Sequence, residues 1–515
     1  MPRVTIPVVG KYGVIFDRPP QELPNFAWSD SLNVRHAQGG STSFGGMKQA
    51  FANAAAEVVW IQQYNQGGKR WWIHATATGV YADDGVNARL NITPTGMTAS
   101  PGNVWTGGVI GGVLVANNGT DAPFYWAGTG TMATITAWPA GYTCASLRPF
   151  KNYLVAVNIT KSGTNYPHLV LWSSEADPGS LPTSWDVTDK TKNAGDSPVM
   201  ADDPSLAVDQ LPLGDANILY KENAIYSMVL SGNDFIFNIN RLPIPFGARG
   251  RNCVANTPLG HVVLTHGDVI LHNGSTFKQI ATGRIRKWLS DNIDGANRSR
   301  CFVVTSPRFN EVWICFPALS QTKCTRAAVW NWIDDTWSVR SLPNVTFGAI
   351  GQIDASLISV WDSDSDAWDN DQSLWDQNEL SEGQAHLLMG CDIGLSSGIA
   401  ATDMSITENG DDFAAEMERK GISFDDPATV KSLRAIWPRI KGTSGQKVLI
   451  TSGATMDIEQ AVTWGSPVEY TIGSSQKADL PFSTGRFLAI RFDSVDNAPF
   501  RVDSFDLDYT VRGLY

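Results

Sequence analysis

An aspartate string in the second half of the chain has the spacing of a cation-binding loop. Asp362, Asp364 and Asp366 stand at alternate positions, and carboxylate oxygens at that spacing suit calcium. A calcium loop of the EF-hand type also needs glycine at its sixth position and a bidentate glutamate at its twelfth, where this chain has Ala367 and Ser373. The string therefore fits either a poor calcium site or a solvated acidic loop, and we assign it no metal and no cofactor.

The same region partly matches the Asp-box, a turn motif of sialidases with the form S-x-D-x-G-x-T-W. Residues 363–368 lack its glycine and are one residue short, and residues 334–337 keep only its tail. Such boxes cap turns between strands and carry no chemistry themselves, so the match favours a β-fold more than glycosidase activity. A glycosidase also needs two carboxylates at a defined separation, which sequence alone cannot pair.

The histidines do not have the spacing of a metal site. The chain contains seven of them and no H-E-x-x-H motif. His261, His266 and His272 flank one predicted hairpin, where their odd and even spacings distribute them over both faces of the strands. Ordinary hairpin histidines explain this pattern better than a ligand set. Because the sequence also lacks a G-x-S-x-G elbow and a Walker loop, we predict that the protein is not an enzyme.

Composition narrows the possible partners. The net charge of −12 argues against a protein that grips nucleic acid by neutralising phosphates. One basic turn at residues 245–251 contains Arg249 and Arg251, and it could meet phosphate or lie at a subunit or ring interface. The six cysteines have no C-x-x-C pair and are predicted to be buried free thiols. With no signal peptide or apolar span in the sequence, we expect synthesis in a cytoplasm and no membrane anchor.

The elements that must position these residues are predicted to be short strands. The 47 glycines and 19 tryptophans favour tight turns and sheet packing over helices. From about Val58 to Pro343, an apolar strand, a polar turn and an aromatic-rich second strand recur every forty to fifty residues or so, the period of a propeller blade. Six or seven blades fit this span, and a long array of β-sandwiches is the competing architecture. One short helix is predicted within residues 283–293, where apolar residues recur at helical spacing.

We therefore predict an all-β protein whose β-propeller-like repeat domain is followed by an acidic excursion and a C-terminal β-sandwich or jelly-roll domain. The predicted parts are an N-terminal extended arm at 1–50, the propeller body at 51–343, the excursion at 344–420, which could include the closing blade, and the C-terminal domain at 421–515.

The excursion is defined by its charge and by a short repeat. No lysine or arginine occurs between Arg340 and Arg419. Within it, a seven-residue repeat begins at Trp361, Trp368 and Trp375. An odd period places successive tryptophans on opposite faces of a strand, so one flat strand is a poor description. Successive short turns at the protein surface fit the repeat better.

Several patches of the chain resemble one known family. Residues 13–20 read GVIFDRPP and residues 22–35 read ELPNFAWSDSLNVR, with two glycines at 39 and 40. This stretch resembles the N-terminal signature of the β-rich tail hub and nozzle proteins of short-tailed bacteriophages, also described as packaged-DNA stabilisation proteins. Further patches resemble the propeller hairpins and the C-terminal segment of that family, namely residues 218–226, 267–274, 310–331 and 485–492.

The resemblance implies a structural protein of the virion tail. Proteins of this kind form a homohexameric ring below the adaptor and portal, continue the channel for double-stranded DNA, help retain the packaged genome and dock fibres or spikes. The interface candidates are Leu23, Phe26, Trp28, Trp361, Trp368, Trp375, Arg249 and Arg251. We expect the N-terminal arm to pack on its own fold rather than on a neighbour. A carbohydrate-binding or glycosidase propeller is the alternative, and a scaffold that binds protein partners is a third.

Overall fold

The structure is a computed structural model that describes residues 3–85, 87–100, 104–189, 191–231, 236–353 and 385–514. Over these residues the chain forms seven four-stranded antiparallel sheets and two six-stranded sheets. The first strands of the seven small sheets contact one another in sequence, and the last contacts the first. The seven sheets are therefore the blades of a closed β-propeller, and the two larger sheets form a β-sandwich. The predicted all-β class, with a propeller and a C-terminal sandwich, is confirmed.

Each of the first six blades takes its four strands in chain order from the axis outward. Blade 1 contains Trp60–Gln66, Lys69–Ala75, Val80–Asp83 and Leu90–Asn91. Blade 2 contains Thr106–Ile110, Val113–Asn117, Phe124–Trp126 and Ala133–Thr134. Blade 3 contains Tyr142–Phe150, Tyr153–Lys161, Thr164–Trp172 and Gly195–Ser197. Blade 4 contains Ala207–Leu213, Ala216–Lys221, Ile225–Leu230 and Phe237–Arg241. Blade 5 contains Val254–Thr257, Gly260–Leu264, Val269–His272 and Phe277–Gln279. Blade 6 contains Phe302–Ser306, Glu311–Phe316, Cys324–Asn331 and Thr336–Val345.

Blade 7 combines strands from two distant parts of the chain. Its three inner strands are Phe347–Gln352, Ala385–Ile393 and Ser396–Ser405, and its outermost strand is the N-terminal Gly46–Gln49. The outer strand pairs antiparallel with the third strand, with Gln49 opposite Ala400. The ring is closed because the segment that precedes blade 1 hydrogen-bonds to the segment that follows blade 6.

The sandwich also draws on both ends of the chain. One sheet runs in the order Val34–Ala37, Gly40–Ser43, Phe500–Leu514, Thr429–Gly442 and Ala478–Gly485, and Arg3–Ile6 also pairs with Phe500–Leu514. The other runs Asp30–Leu32, Glu416–Ile422, Phe487–Ser494, Lys447–Thr455 and Thr463–Trp464, and Val468–Thr471 also pairs with Lys447–Thr455. A core of buried aliphatic and aromatic side chains fills the space between the two sheets.

Two segments differ from their predicted assignments. Residues 1–50 are not an extended arm where they are described, because they supply strands to both sandwich sheets and to blade 7. These strands are only three or four residues long, which is too short for a period-2 pattern to be recognised. The sandwich strands at the other end begin at Glu416 rather than at residue 421. Three strands within 344–420 belong to blade 7, so this segment includes most of the closing blade, as the prediction allowed.

Helices are few and short. Among the described residues there is one α-helix, Arg286–Asn292, which lies within the predicted range 283–293, and its Leu289 is buried against blades 5 and 6. Short 3₁₀ turns occur at Pro20–Glu22, Val199–Asp202, Arg298–Arg300 and Pro307–Phe309. Across the described ranges, no helix has the length and apolar character needed to cross a membrane.

Candidate functional site

The N-terminal interface candidates lie mostly inside the chain's own fold. Leu23 is buried in a small cluster of apolar side chains, and Phe26 is half-buried against the sandwich core. Trp28 is buried in the sandwich core, where its Nε1 donates a hydrogen bond to Ser41 Oγ at 3.0 Å. Its ring meets Phe492 edge-on with the centroids 6.0 Å apart. The stretch that resembles the phage signature therefore anchors itself to the body of the protein.

Other predicted residues lie where the structure gives no description. The three repeat tryptophans, Trp361, Trp368 and Trp375, fall outside the described residues, and so does the aspartate string that we considered for calcium. Across the described residues, no group of three or more His, Cys, Asp or Glu side chains is arranged to hold a metal ion.

The basic turn at 245–251 leads to the propeller axis. It connects the outer strand of blade 4 to the inner strand of blade 5, so it must cross from the rim to the centre. Arg249 and Arg251 are both half-buried there. Arg251 Nη1 donates to the carbonyl of Val104, just before blade 2, at 3.2 Å, and burial lowers the pKa of this arginine. Its guanidinium is engaged inside the propeller.

A buried ion pair next to this turn joins three blades. Asp209, on the inner strand of blade 4, accepts from Arg148 Nε at 2.8 Å and from Arg148 Nη2 at 2.9 Å. Ser146 Oγ in blade 3 and the Asn252 backbone N–H before blade 5 also donate to Asp209, each at 2.9 Å. Burial alone would raise the pKa of Asp209, but the charge and hydrogen bonds of Arg148 bring it below its ordinary value.

Asn252 extends this network across the axis. Its backbone is in the left-handed region at φ 56°, which asparagine tolerates better than most residues. Its Nδ2 donates to the Trp105 carbonyl of blade 2 at 3.3 Å, and its own carbonyl accepts from the Val303 N–H of blade 6 at 2.8 Å. Blades 2 and 5 are not neighbours in the ring, so the turn before blade 5 crosses the axis and obstructs the propeller's central channel at this level.

A second buried charge cluster joins the sandwich to the propeller. Arg35, on a sandwich strand, donates from Nε to Glu311 Oε1 of blade 6 at 2.5 Å and from Nη2 to Asp403 Oδ2 of blade 7 at 3.0 Å. Behind it, Arg340 Nη2 lies 3.2 Å from Glu408 Oε2. Burial raises the pKa of Glu311 although Arg35 opposes the shift. We call this group of five side chains the junction cluster.

An acidic strip crosses the second sandwich sheet. Asp30 stands opposite Glu418, Glu418 opposite Arg491, and Glu416 opposite Asp493 on neighbouring strands. Arg491 Nη2 contacts Glu418 Oε2 at 2.5 Å. Burial raises the pKa of Asp493 to about 6, with the two glutamates adding to the shift and Arg491 opposing it. The strip gives the sandwich a carboxyl group whose pKa lies about two pH units above that of an ordinary aspartate.

Two of the hairpin histidines meet on one face, which corrects the predicted distribution over both faces. His261 and His272 are direct cross-strand partners, and both contact the Tyr220 hydroxyl, at 2.6 and 2.8 Å. Directly opposite residues of an antiparallel hairpin share a face whatever the parity of their spacing. Burial lowers the pKa of His261 to about 4 and that of His272 to about 3. The neutral pair with Tyr220 is part of the core, while His266 is exposed at the turn.

The cysteines also belong to the core. All six are buried and free, as predicted. Burial raises the pKa of the Cys144 thiol to about 12, so it stays protonated and unreactive at neutral pH.

Comparisons with known proteins assign no family to the chain. No family model and no curated protein matches the chain. An extracellular domain from B. thetaiotaomicron, assigned to a hybrid two component system, aligns at TM-score 0.37 and 12% identity, over 69% of this chain and 39% of the other. Raptor of Chaetomium thermophilum aligns at TM-score 0.38 and 8% identity, over 70% of this chain and 29% of Raptor. The Pan2 WD40 domain of Neurospora crassa aligns at TM-score 0.38 and 8% identity, over 67% of this chain and 89% of that domain. The chain thus spans well under half the length of the B. thetaiotaomicron protein and of Raptor.

Proposed function

We propose that this protein is a structural component of a short phage tail, a nozzle or hub subunit that assembles as a ring below the portal and adaptor. The ring continues the path of double-stranded DNA, helps retain the packaged genome and docks fibres or spikes. The observation that carries this proposal is the resemblance of residues 13–40 to the N-terminal signature of that family.

The position of this stretch in the fold supports the proposal. It places Trp28 in the sandwich core and leads directly into Gly46–Gln49, which closes blade 7. Arg35, within the same stretch, bridges to blades 6 and 7 through the junction cluster. The signature therefore connects the two domains through strands and buried ion pairs, which suits a subunit that must keep its shape while DNA is packaged and released.

The closed axis determines where such a channel would lie. Arg251 and Asn252 cross the centre of the propeller and hydrogen-bond to blade 2. A DNA duplex cannot pass between groups that are hydrogen-bonded to each other across the axis. The lumen of a tail ring would have to form between copies of the chain. The net charge of −12 suits such a wall, because an acidic surface repels the phosphate backbone and lets the duplex slide.

Immunogold electron microscopy of virions from the source tests the proposal. An antibody against this chain should label the tail below the portal, and disrupted particles should lose the label together with the tail. Label on peripheral fibres only, or no label on particles that contain their other tail proteins, would overturn the proposal. An antibody against the capsid protein serves as the positional control.

A ring can also be sought in the purified protein. Negative-stain images and light scattering should show closed oligomers, alone or after mixing with the adaptor, with a lumen wide enough for a duplex. A strictly monomeric chain that also fails to join adaptor–portal complexes would contradict the proposed role.

The carbohydrate alternative is supported by one separate feature of the propeller, a cleft on its outer side.

A further inference from the structure

We propose that a cleft on the outer side of blade 3 binds a saccharide. The cleft lies where the linker from blade 2 enters blade 3, and its walls include Tyr142, Lys161, Leu171, Trp185 and Asp196. We call it the rim cleft. Its volume of about 440 Å³ is in the range of small-molecule sites. The proposal is independent of the tail role, because it rests on different residues.

The apolar part of the rim cleft is built on two tryptophans. Trp185 is only 3% exposed and meets Trp138 edge-on, with ring centroids 4.7 Å apart. Pro139, Tyr142 and Leu171 continue the apolar wall. Among them Pro139 and Tyr142 are half-buried rather than buried, so they offer accessible apolar surface against which the C–H face of a sugar ring could lie.

One polar atom of this wall is left without a partner. Trp138 Nε1 donates to the Tyr142 carbonyl at 2.7 Å, but Trp185 Nε1 is buried and has no acceptor among the described residues. Buried indole N–H groups usually find a partner, and a missing one requires an explanation. Because Trp185 lines the rim cleft, a water or a ligand hydroxyl seated beside its ring would supply the acceptor after a local side-chain shift that uncovers the nitrogen.

The mouth of the rim cleft is polar, with Lys161 and Asp196 half-buried and Asp186 exposed. Lys161 Nζ lies 5.4 Å from the Tyr142 ring centroid and 3.6 Å from Asp196 Oδ2. Asp186, also in the lining, accepts from the Thr188 hydroxyl at 2.7 Å and from the Thr188 N–H at 2.8 Å, and these bonds lower the pKa of Asp186. The mouth therefore presents charged carboxylate acceptors beside an ammonium donor and hydroxyl groups.

This combination selects the ligand class. The described lining contains two carboxylates and one lysine, and that lysine is already near Asp196, so a phosphate or nucleic acid would meet net repulsion. The mouth is too polar for an acyl chain, whose entry would leave charged groups unpaired. A saccharide matches both parts, because its hydroxyls pair with carboxylate, ammonium and hydroxyl groups while its C–H face covers the apolar wall.

Ligand-observed NMR on the full chain tests the site. The probes are chitotriose, cellotriose, maltotriose and sialyllactose, each titrated by saturation transfer. At least one should bind with a dissociation constant on the order of 1 mM. The double variant Asp186→Asn/Asp196→Asn should weaken that binding about tenfold or more, equivalent to about 1.4 kcal/mol. The matched control is Asp215→Asn, which alters a 97% exposed aspartate near Lys151, away from the rim cleft.

Two further measurements make the result decisive. Trp185→Phe keeps an aromatic ring but removes the N–H, so it should weaken binding while the thermal midpoint stays within a few degrees of the parent. If that variant misfolds, Lys161→Met provides the same comparison from the mouth of the cleft. Absence of binding by every probe would overturn the proposal. So would a saccharide that binds the parent, the double variant and the Asp215→Asn control equally well.

Discussion

Removal of one arginine from the junction cluster should strongly destabilise the protein. Arg35→Met keeps an apolar stem where the guanidinium lies over two phenylalanine rings, but it leaves Glu311 and Asp403 without their shared cation. Breaking a buried ion pair in this way costs about 3–5 kcal/mol. Glu311 keeps a hydrogen bond from Trp313 Nε1, and Asp403 keeps one from the Gly45 N–H. We therefore expect the lower end, about 3 kcal/mol.

Urea unfolding at pH 7 measures this loss, with tryptophan fluorescence and far-UV circular dichroism followed together. Coincident transitions are needed before one free energy can be assigned to a two-domain chain. The control is Arg241→Met. This arginine is 47% exposed and pairs with Asp202 at 3.3 Å and, at the longer distance of 3.7 Å, with Asp203. The loss in this control should stay below about 1 kcal/mol.

The pH dependence of the same variant separates charge from packing. Without Arg35, the pKa of Glu311 should rise further above its ordinary value, so protonation at pH 5 relieves the unpaired charge. The difference between Arg35→Met and the parent should therefore shrink as the pH falls from 7 to 5. A loss no larger than that of Arg241→Met, or a loss that is equal at both pH values, would refute the electrostatic reasoning.

Three other perturbations test the axis, the acidic strip and the turn before blade 5. Asp209→Asn should cost about 2–3 kcal/mol in urea unfolding, because its buried arginine partner loses its counter-charge; a loss below 1 kcal/mol or so would contradict the role given to the axis network. Because the folded-state pKa of Asp493 is about 6, above the usual 3.8, its contribution is present below pH 4 and lost as the pH rises through 6. The free energy of unfolding of Asp493→Asn relative to the parent should therefore rise by about 1 kcal/mol from pH 4 to pH 7, after allowance for partial exposure. A relative stability that does not change with pH would exclude the raised pKa of Asp493. Gly247→Ala would put a Cβ 2.1 Å from a backbone carbonyl oxygen of blade 4 and should lower the thermal midpoint by several degrees. Gly250→Ala, whose Cβ would have its nearest neighbour at 3.9 Å, should leave the midpoint unchanged. Equal midpoints for the two variants would show that the turn can move.

The repeating part of the fold was predictable because each blade repeats the same local chemistry. Apolar strands separated by glycine, asparagine and aspartate turns recur from blade 1 to blade 6, and local pattern is enough to detect them. The closing strand was not predictable. Gly46–Gln49 has four residues and pairs with a strand about 350 positions away, so neither its length nor its neighbours indicate its partner.

Some contacts in the polar networks could likewise be predicted from the sequence, and others could not. The His261–His272 pair could have been found by counting outward from the turn, because Leu264 and Val269 are partners and the register fixes every later pair. Asn252 gave no comparable signal. An asparagine in a turn predicts a left-handed backbone, but not that its side chain reaches a blade on the far side of the axis.

The way the polar groups are used limits where this protein can act on a partner. At the axis, Arg148, Asp209 and Asn252 bond to one another and to blades 2 and 6, so they offer nothing to a molecule that approaches along the channel. At the junction, Arg35 and its two carboxylates are consumed in holding the domains together. These two networks are therefore unsuited to binding a partner, which leaves the outer surfaces, including the rim cleft that we propose as a saccharide site. Substitutions at the axis and junction should change stability and assembly together, whereas substitutions at the rim cleft should change ligand binding alone.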